Sequence, residues 1–279
     1  MTLNGKIILT GKGLHSGQDC TLTIEPCDSP EILMRSGENE LPLRLLGLSG
    51  TNRGSDYIFP DGTRVRTCEH VLSALSGLGI WSGVRLCVEG GEMPALDGCS
   101  RLVFDELREN CGLGRKPFQM IGCLSSETAE QFAKSIQSPV CVYGEDKNRF
   151  VAALPYKGLR ITYIVEYKYI GAQVFDYIHS PETYYREISC ARTFAMQSDI
   201  DYLRSHGMAL GGSLDNAIVI GESIQAKSGL RWPDEFVRHK VLDIIGDLAA
   251  VGRPLNAHII AVKAGHELHL KLAENLRGV

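Results

Sequence analysis

No stretch of this 279-residue chain is apolar for long enough to span a membrane, since its hydrophobic runs stop far short of the roughly 20 residues a bilayer requires. No run of Lys and Arg offers a nucleic acid a basic stripe. No acidic tail awaits a basic partner, and the formal net charge is only −4. No secretory leader is expected, because Asn4-Gly5-Lys6 and Gly11-Lys12-Gly13 interrupt the opening stretch with polar breaks. No CxxC pair occurs among the 9 cysteines, and their odd number argues against a disulfide framework, so reduced, mostly buried thiols in a cytoplasmic setting are expected. No GxGxxG or GxxxxGK(S/T) follows a strand-like run, which removes the dinucleotide-fold and P-loop readings. What is present is a hydrophobic share of 44%, ample for globular cores of one large domain or two ordinary ones.

Strand character appears at 6–10, 20–25, 31–35, 84–88, 140–143, 149–154, 159–167 and 257–262. Helical patterning appears at 67–78, 102–111, 199–206 and from Pro233-Asp234 through Leu248, with a helix or turn at 181–188. Residues 211–220 read as a glycine loop entering a strand. The Gly-, Pro- and charge-rich stretch 112–118 predicts a boundary, giving a first domain at 1–118 and a second at 119–279. The expected class is α+β: two similar domains, each a sheet with helices, packed with an active site between them.

The most informative stretch is the helix containing His239, Asp243 and Asp247. Spaced four apart, these side chains stack along one face, and an imidazole and a carboxylate at that spacing can grip one metal ion. Such a pair also occurs on the solvated face of an ordinary helix, so a third ligand is needed. His70 supplies a candidate. It sits near the start of an apolar helix for which Thr67 is the expected N-cap and Gly79 the stop, followed by the strand 84–88. The later unit repeats the order, with His239 on a helix, a Gly252-Arg253-Pro254 break and the strand 257–262. A His, a helix, a turn and a strand, seen twice, predict two related halves with one His from each, although such units are common enough to coincide by accident.

Further groups suit hydrolysis. Glu69 adjoins His70 but diverges from it by about 100° on a helix, so it would reach a water as general base rather than ligate. His266 follows a strand and Gly265, and would be presented from a loop as a general acid, with Asp247 holding it protonated. Lys240 and Thr193 can stabilise an oxyanion. Each of these residue types more often serves as a solvated or locally bonded surface group. His15 reads as a turn residue.

These residues carry a resemblance. The segments 10–17, 66–79, 92–98, 191–194, 210–217, 236–247 and 265–266 run in the order characteristic of the UDP-3-O-acyl-N-acetylglucosamine deacetylases, zinc enzymes of lipid A synthesis, and the resemblance covers nearly the whole chain. It implies His70, His239 and Asp243 as zinc ligands, although iron(II) suits the same ligands. It implies Glu69 as base, His266 as acid, Asp247 as its support, and Lys240 and Thr193 as groups stabilising the intermediate. It also implies Phe194, Gly211, Gly212, Ser213 and Leu214 near the sugar and acyl chain of an acylated UDP-sugar. Such a substrate suggests transient work near a membrane surface, though no basic amphipathic anchor is evident. The segment 166–173 keeps Ile170-Gly171-Ala172-Gln173 without the family's preceding His-Pro pair, residues 50–55 match poorly, and Ala195-Met196 replaces a glycine-rich continuation. Acyl-chain length and sugar preference therefore do not follow from the resemblance. A zinc amidohydrolase for another N-acyl substrate and a non-catalytic binding module remain the alternatives.

Overall fold

The computed structural model describes residues 3–51, 53–114 and 132–277. The first half opens with two hairpins, β1 (Ile7–Lys12) with β2 (Asp19–Pro26), and β3 (Ile32–Ser36) with β4 (Asn39–Pro42). A small antiparallel sheet follows: β5 (Gly47–Thr51), β6 (Gly54–Ile58) and β7 (Arg64–Val65). Helix α1 (Glu69–Leu78) then crosses to β8 (Val84–Glu89), which enters between β2 and β3, and helix α2 (Arg101–Asn110) closes the half. Strand β8 is parallel to β3 and antiparallel to β2. Parallel neighbours need a long crossover, and α1 lies on it.

The second half repeats this plan. After β9 (Lys134–Ser135) come the hairpins β10 (Val140–Tyr143) with β11 (Phe150–Pro155) and β12 (Leu159–Tyr167) with β13 (Gly171–Ile178). Its insertion holds β14 (Phe194–Met196), helix α3 (Gln197–Ser205), β15 (Ile218–Ile220) and β16 (Ile224–Gln225). Helix α4 (Glu235–Leu248) leads to β17 (Leu255–Val262), again parallel to one neighbour, β12, and antiparallel to the other, β11. Helix α5 (His266–Arg277) closes the half. The strand orders β1-β2-β8-β3-β4 and β10-β11-β17-β12-β13 match position for position. The α+β class and the internal repeat are thus as expected, and the two His-bearing helices are the two crossovers. The expected boundary at 118/119 lies outside the described residues. Among those residues, no helix is long and apolar enough to cross a membrane.

Every residue of α1 is buried. Leu72, Leu75 and Leu78 are fully covered, and each such side chain contributes about 1.5–3 kcal/mol of hydrophobic burial. With Val241, Leu242 and Ile245 of α4, and with strand residues from both sheets, they form one continuous core. Gly79 ends α1 as expected, with φ 79°, and the Ile80 N–H donates back to the Leu75 carbonyl at 2.9 Å. Thr67 is not the expected N-cap. It has φ 55°, and its hydroxyl donates to Glu92 Oε1 at 2.9 Å, so Cys68 begins the helix without a side-chain cap. The buried Glu92 carboxylate also accepts the N–H groups of His15 and Ser16 and recruits the Thr67 hydroxyl away from the helix end.

Candidate active site

Helices α1 and α4 pack against each other at unusually close range. A Cβ on Gly246 would lie 1.9 Å from the Glu69 carbonyl oxygen, so only glycine allows the two backbones to meet there. One turn away, Ser73 Oγ donates to the Leu242 carbonyl at 2.8 Å. This crossing sets His70, from the first half, against His239 and Asp243, from the second. The rings of His70 and His239 meet edge-on with centroids 5.1 Å apart.

Asp243 Oδ1 lies 3.2 Å from His239 Nε2 and 3.7 Å from His70 Nε2. Ligand atoms at the corners of a tetrahedral zinc site stand about 3.4 Å apart. The protons decide whether these atoms need a cation. His239 Nδ1 donates to the Ala191 carbonyl at 3.0 Å, an oxygen that can only accept. Burial lowers the His239 pKa to about 4 against the pull of Asp243, so the ring is neutral and its single proton sits on Nδ1. Its Nε2 therefore presents a lone pair to Asp243 Oδ1, a buried oxygen without a hydrogen-bond partner. Such convergence is repulsive unless a cation lies between the ligands, and the donor set fits a divalent metal. The Ala191 carbonyl acts as the outer partner that fixes a ligating imidazole's tautomer.

A second carboxylate–imidazole group, Asp247 with His266 and His269, also brings potential metal ligands together. Its protonation differs. Asp247 Oδ2 lies 2.8 Å from His266 Nδ1 and 2.7 Å from His269 Nδ1, both of which donate to it. The facing atoms are two N–H groups and an acceptor, so this group is closed by hydrogen bonds rather than by a metal.

Around the first group stand the other candidates. Glu69 is buried and its Oε2 accepts the Ser55 N–H at 3.0 Å and the Ser55 hydroxyl at 2.6 Å. Lys240 Nζ donates to Asp243 Oδ2 at 2.6 Å. Burial opposes the ammonium charge, but the Asp243 carboxylate outweighs it and keeps Lys240 protonated. Burial also opposes the Asp243 carboxylate, but the positive charges of Lys240 and His266 hold its carboxyl well below the usual carboxylate range. His266 begins α5 rather than standing on a loop, because Leu268, Leu272 and Leu276 bury one face of a helix running directly from Gly265. Its Nε2 points toward the metal group, 3.6 Å from Asp243 Oδ2. Burial lowers its pKa, and a helix N-terminus disfavours a cation. Asp247, Glu69 and Asp243 prevail and raise it to about 9.

A pH dependence follows for the metal-free protein. A pKa raised from 6.5 to about 9 gives a stabilising contribution that is full below pH 6.5 and lost as pH rises through about 9. With chelator present, the unfolding free-energy gap between the protein and His266→Gln should narrow by roughly 3 kcal/mol between those limits. Urea titrations at several pH values measure this, and a gap that stays constant with pH would refute it.

Phe194 packs edge-on against His239, Phe236 and Tyr167, at centroid distances of 6.0, 5.2 and 5.3 Å. Thr193 is half-buried and held by its backbone, its N–H donating to the Gly98 carbonyl at 2.8 Å. Gly211, Gly212, Ser213 and Leu214 form a loop held against the turn at Gly13-Leu14. The Gly211 N–H donates to the Leu14 carbonyl at 3.1 Å, and a Cβ there would stand 2.2 Å from the Gly13 carbonyl oxygen. Gly212 donates to Ala209, the Ser213 N–H to Asn216 Oδ1, and Leu214 is exposed. Sequence reasoning passed over Ser55, Ala191 and His269. Only His269 left a readable signal, its i+3 spacing from His266.

The family model described as UDP-3-O-acyl N-acetylglycosamine deacetylase matches residues 1–277. A protein of Thermosynechococcus vestitus named UDP-3-O-acyl-N-acetylglucosamine deacetylase is 36% identical over 279 residues, covering 98% of this chain and 92% of its own length. Relatives of the same name from Nitratidesulfovibrio vulgaris and Bdellovibrio bacteriovorus are 37% and 34% identical, covering 96% and 99% of this chain and 84% and 88% of their own lengths.

Proposed function

The chain belongs to the UDP-3-O-acyl N-acetylglycosamine deacetylase family, and on that premise we propose that it removes the N-acetyl group of a UDP-3-O-acyl-N-acetylglucosamine in lipid A synthesis, releasing acetate and a free amine. The observation that carries the reading is the meeting of His70, His239 and Asp243, where the His239 Nε2 lone pair faces an unpartnered Asp243 Oδ1, between a buried carboxylate and a buried, carboxylate-supported imidazole. Zinc is the metal we assign to these ligands, with iron(II) as the alternative. When bound, it would supply Lewis-acid chemistry, polarising the amide carbonyl and acidifying water.

The side chains divide the remaining work. Glu69, oriented by Ser55, takes the proton of the attacking water at its carboxylate. Lys240 sets a positive charge beside the group, and Thr193 contributes a hydroxyl, both toward the developing oxyanion. His266, tied at Nδ1 to Asp247, gives its Nε2 proton to the departing amine nitrogen. Phe194 and the loop from Gly211 to Leu214 are assigned to the sugar and acyl chain. The described cysteines are all free thiols, which supports work in a reducing cytoplasm.

Acetate release from the acylated UDP-sugar tests the proposal. Chelated protein should be inactive, and one equivalent of zinc should restore turnover. Failure of metal-loaded protein to release acetate would discard this substrate in favour of another N-acyl amide.

A further inference from the structure

Outside the active site, one pair of reactive groups joins the two halves. Cys99 lies in the segment between β8 and α2, and Cys190 immediately precedes Ala191. Backbone bonds hold the two segments side by side. The Ser100 N–H donates to the Ser189 carbonyl at 3.1 Å, and the Thr193 N–H to the Gly98 carbonyl at 2.8 Å. Cys99 and Cys190 thus stand on neighbouring segments, and the Cys99 thiol donates to the two Asp97 carboxylate oxygens, each at 3.3 Å. Arg231 closes over them, its Nη1 donating to Cys99 Sγ at 3.3 Å and to the Cys190 carbonyl at 2.5 Å, while Nη2 reaches Asp97 Oδ2 at 3.4 Å.

We propose that Cys99 and Cys190 form a redox-modification site that takes small disulfides such as glutathione disulfide and closes into a reversible cross-link between the halves. Their division of labour follows from their surroundings. Cys190 is partly exposed, and the neighbouring Cys99 thiol, aided against burial by Arg101 and Arg231, lowers its pKa to about 7. It is the attacking sulfur. Cys99 is buried, and its thiol is held protonated by the neighbouring Cys190 thiol, by burial and by the Asp97 carboxylate that accepts from it. It is the resolving sulfur.

The steps balance. The Cys190 thiolate attacks one sulfur of the small disulfide, breaking its S–S bond and releasing one thiolate, which takes the Cys99 proton. The Cys99 sulfur then attacks Cys190, breaking the mixed disulfide and releasing the second thiolate, which takes the proton that Cys190 gave up on ionising. Two protein thiols are oxidised, and one small disulfide is reduced to two thiols. The cross-link lies one residue from the Ala191 carbonyl that fixes His239. It closes a loop of roughly 90 residues, which strongly restricts the unfolded chain.

Full-length, metal-loaded protein is treated with glutathione disulfide, free thiols are blocked with N-ethylmaleimide, and peptides are mapped by mass. A Cys99–Cys190 cross-linked peptide that dithiothreitol removes is expected, with a Tm about 5–10 °C above that of the reduced protein. Cys99→Ser should stop at glutathione on Cys190, and Cys190→Ser should leave Cys99 open to the blocking reagent. The proposal is overturned if both cysteines in the unsubstituted protein remain open to the reagent, if cross-links form only elsewhere, or if the mapped cross-link leaves Tm unchanged.

Discussion

Glu69→Gln is expected to lower kcat by about 10²–10⁴-fold while leaving metal content unchanged. Glu69 precedes the ligand His70 on α1, but its Oε2 is engaged by the backbone and hydroxyl of Ser55 rather than by the metal group. Glutamine keeps the shape and an acceptor oxygen for Ser55, so the fold should persist. What disappears is the capacity to take a proton. The loss should therefore fall on kcat more than on KM. Metal analysis alongside steady-state kinetics checks this, and full activity with bound metal would remove Glu69 from the mechanism.

Gly246→Ala is expected to destabilise the protein and impair metal binding together. By propensity alone the change should stabilise α4, since alanine is favoured over glycine in a helix by about 1 kcal/mol. Contact geometry reverses the sign. The new methyl would meet the Glu69 carbonyl oxygen at 1.9 Å, the carbonyl carbon at 2.7 Å and Cα at 2.9 Å. These are backbone atoms and cannot rotate away. The helices must separate, at a cost of about 1–3 kcal/mol or more for an overpacked core, lowering Tm by several degrees. Because His70 rides on one helix and His239 and Asp243 on the other, the same separation pulls the ligands apart. Thermal unfolding and metal titration of the variant should both be impaired. A variant with unchanged Tm and unchanged metal affinity would show that the crossing does not position the site.

The legible parts of this molecule were those where one physical rule dominates. Helix α1 carries an unbroken apolar pattern and a glycine stop. Helix α4 carries its His and Asp at the helical spacing, and the repeated order of helix, turn and strand is borne out by two sheets of identical strand order. Strand β13 escaped notice because it is an edge strand, with Val174 and Ile178 largely exposed and no clear alternation to read. Helix α5 has no start signal in the sequence because Gly265, which precedes it, carries no side chain to cap it, although Leu268, Leu272 and Leu276 mark its buried face. Thr67 has the chemistry of an N-cap, but its hydroxyl goes instead to a buried carboxylate 25 positions away, Glu92. Ser55 sits in a stretch that matched the family pattern poorly, yet it orients Glu69. Nothing in a short polar segment reveals which distant carboxylate it will meet.

One metal is assigned to the meeting of the two halves, on His70, His239 and Asp243. Anomalous diffraction at the zinc absorption edge, from crystals of metal-loaded protein, tests it most directly. A peak is expected about 2.0–2.2 Å from His70 Nε2, His239 Nε2 and Asp243 Oδ1. A peak on Asp247, His266 and His269 instead, or none in protein shown to hold zinc, would contradict it.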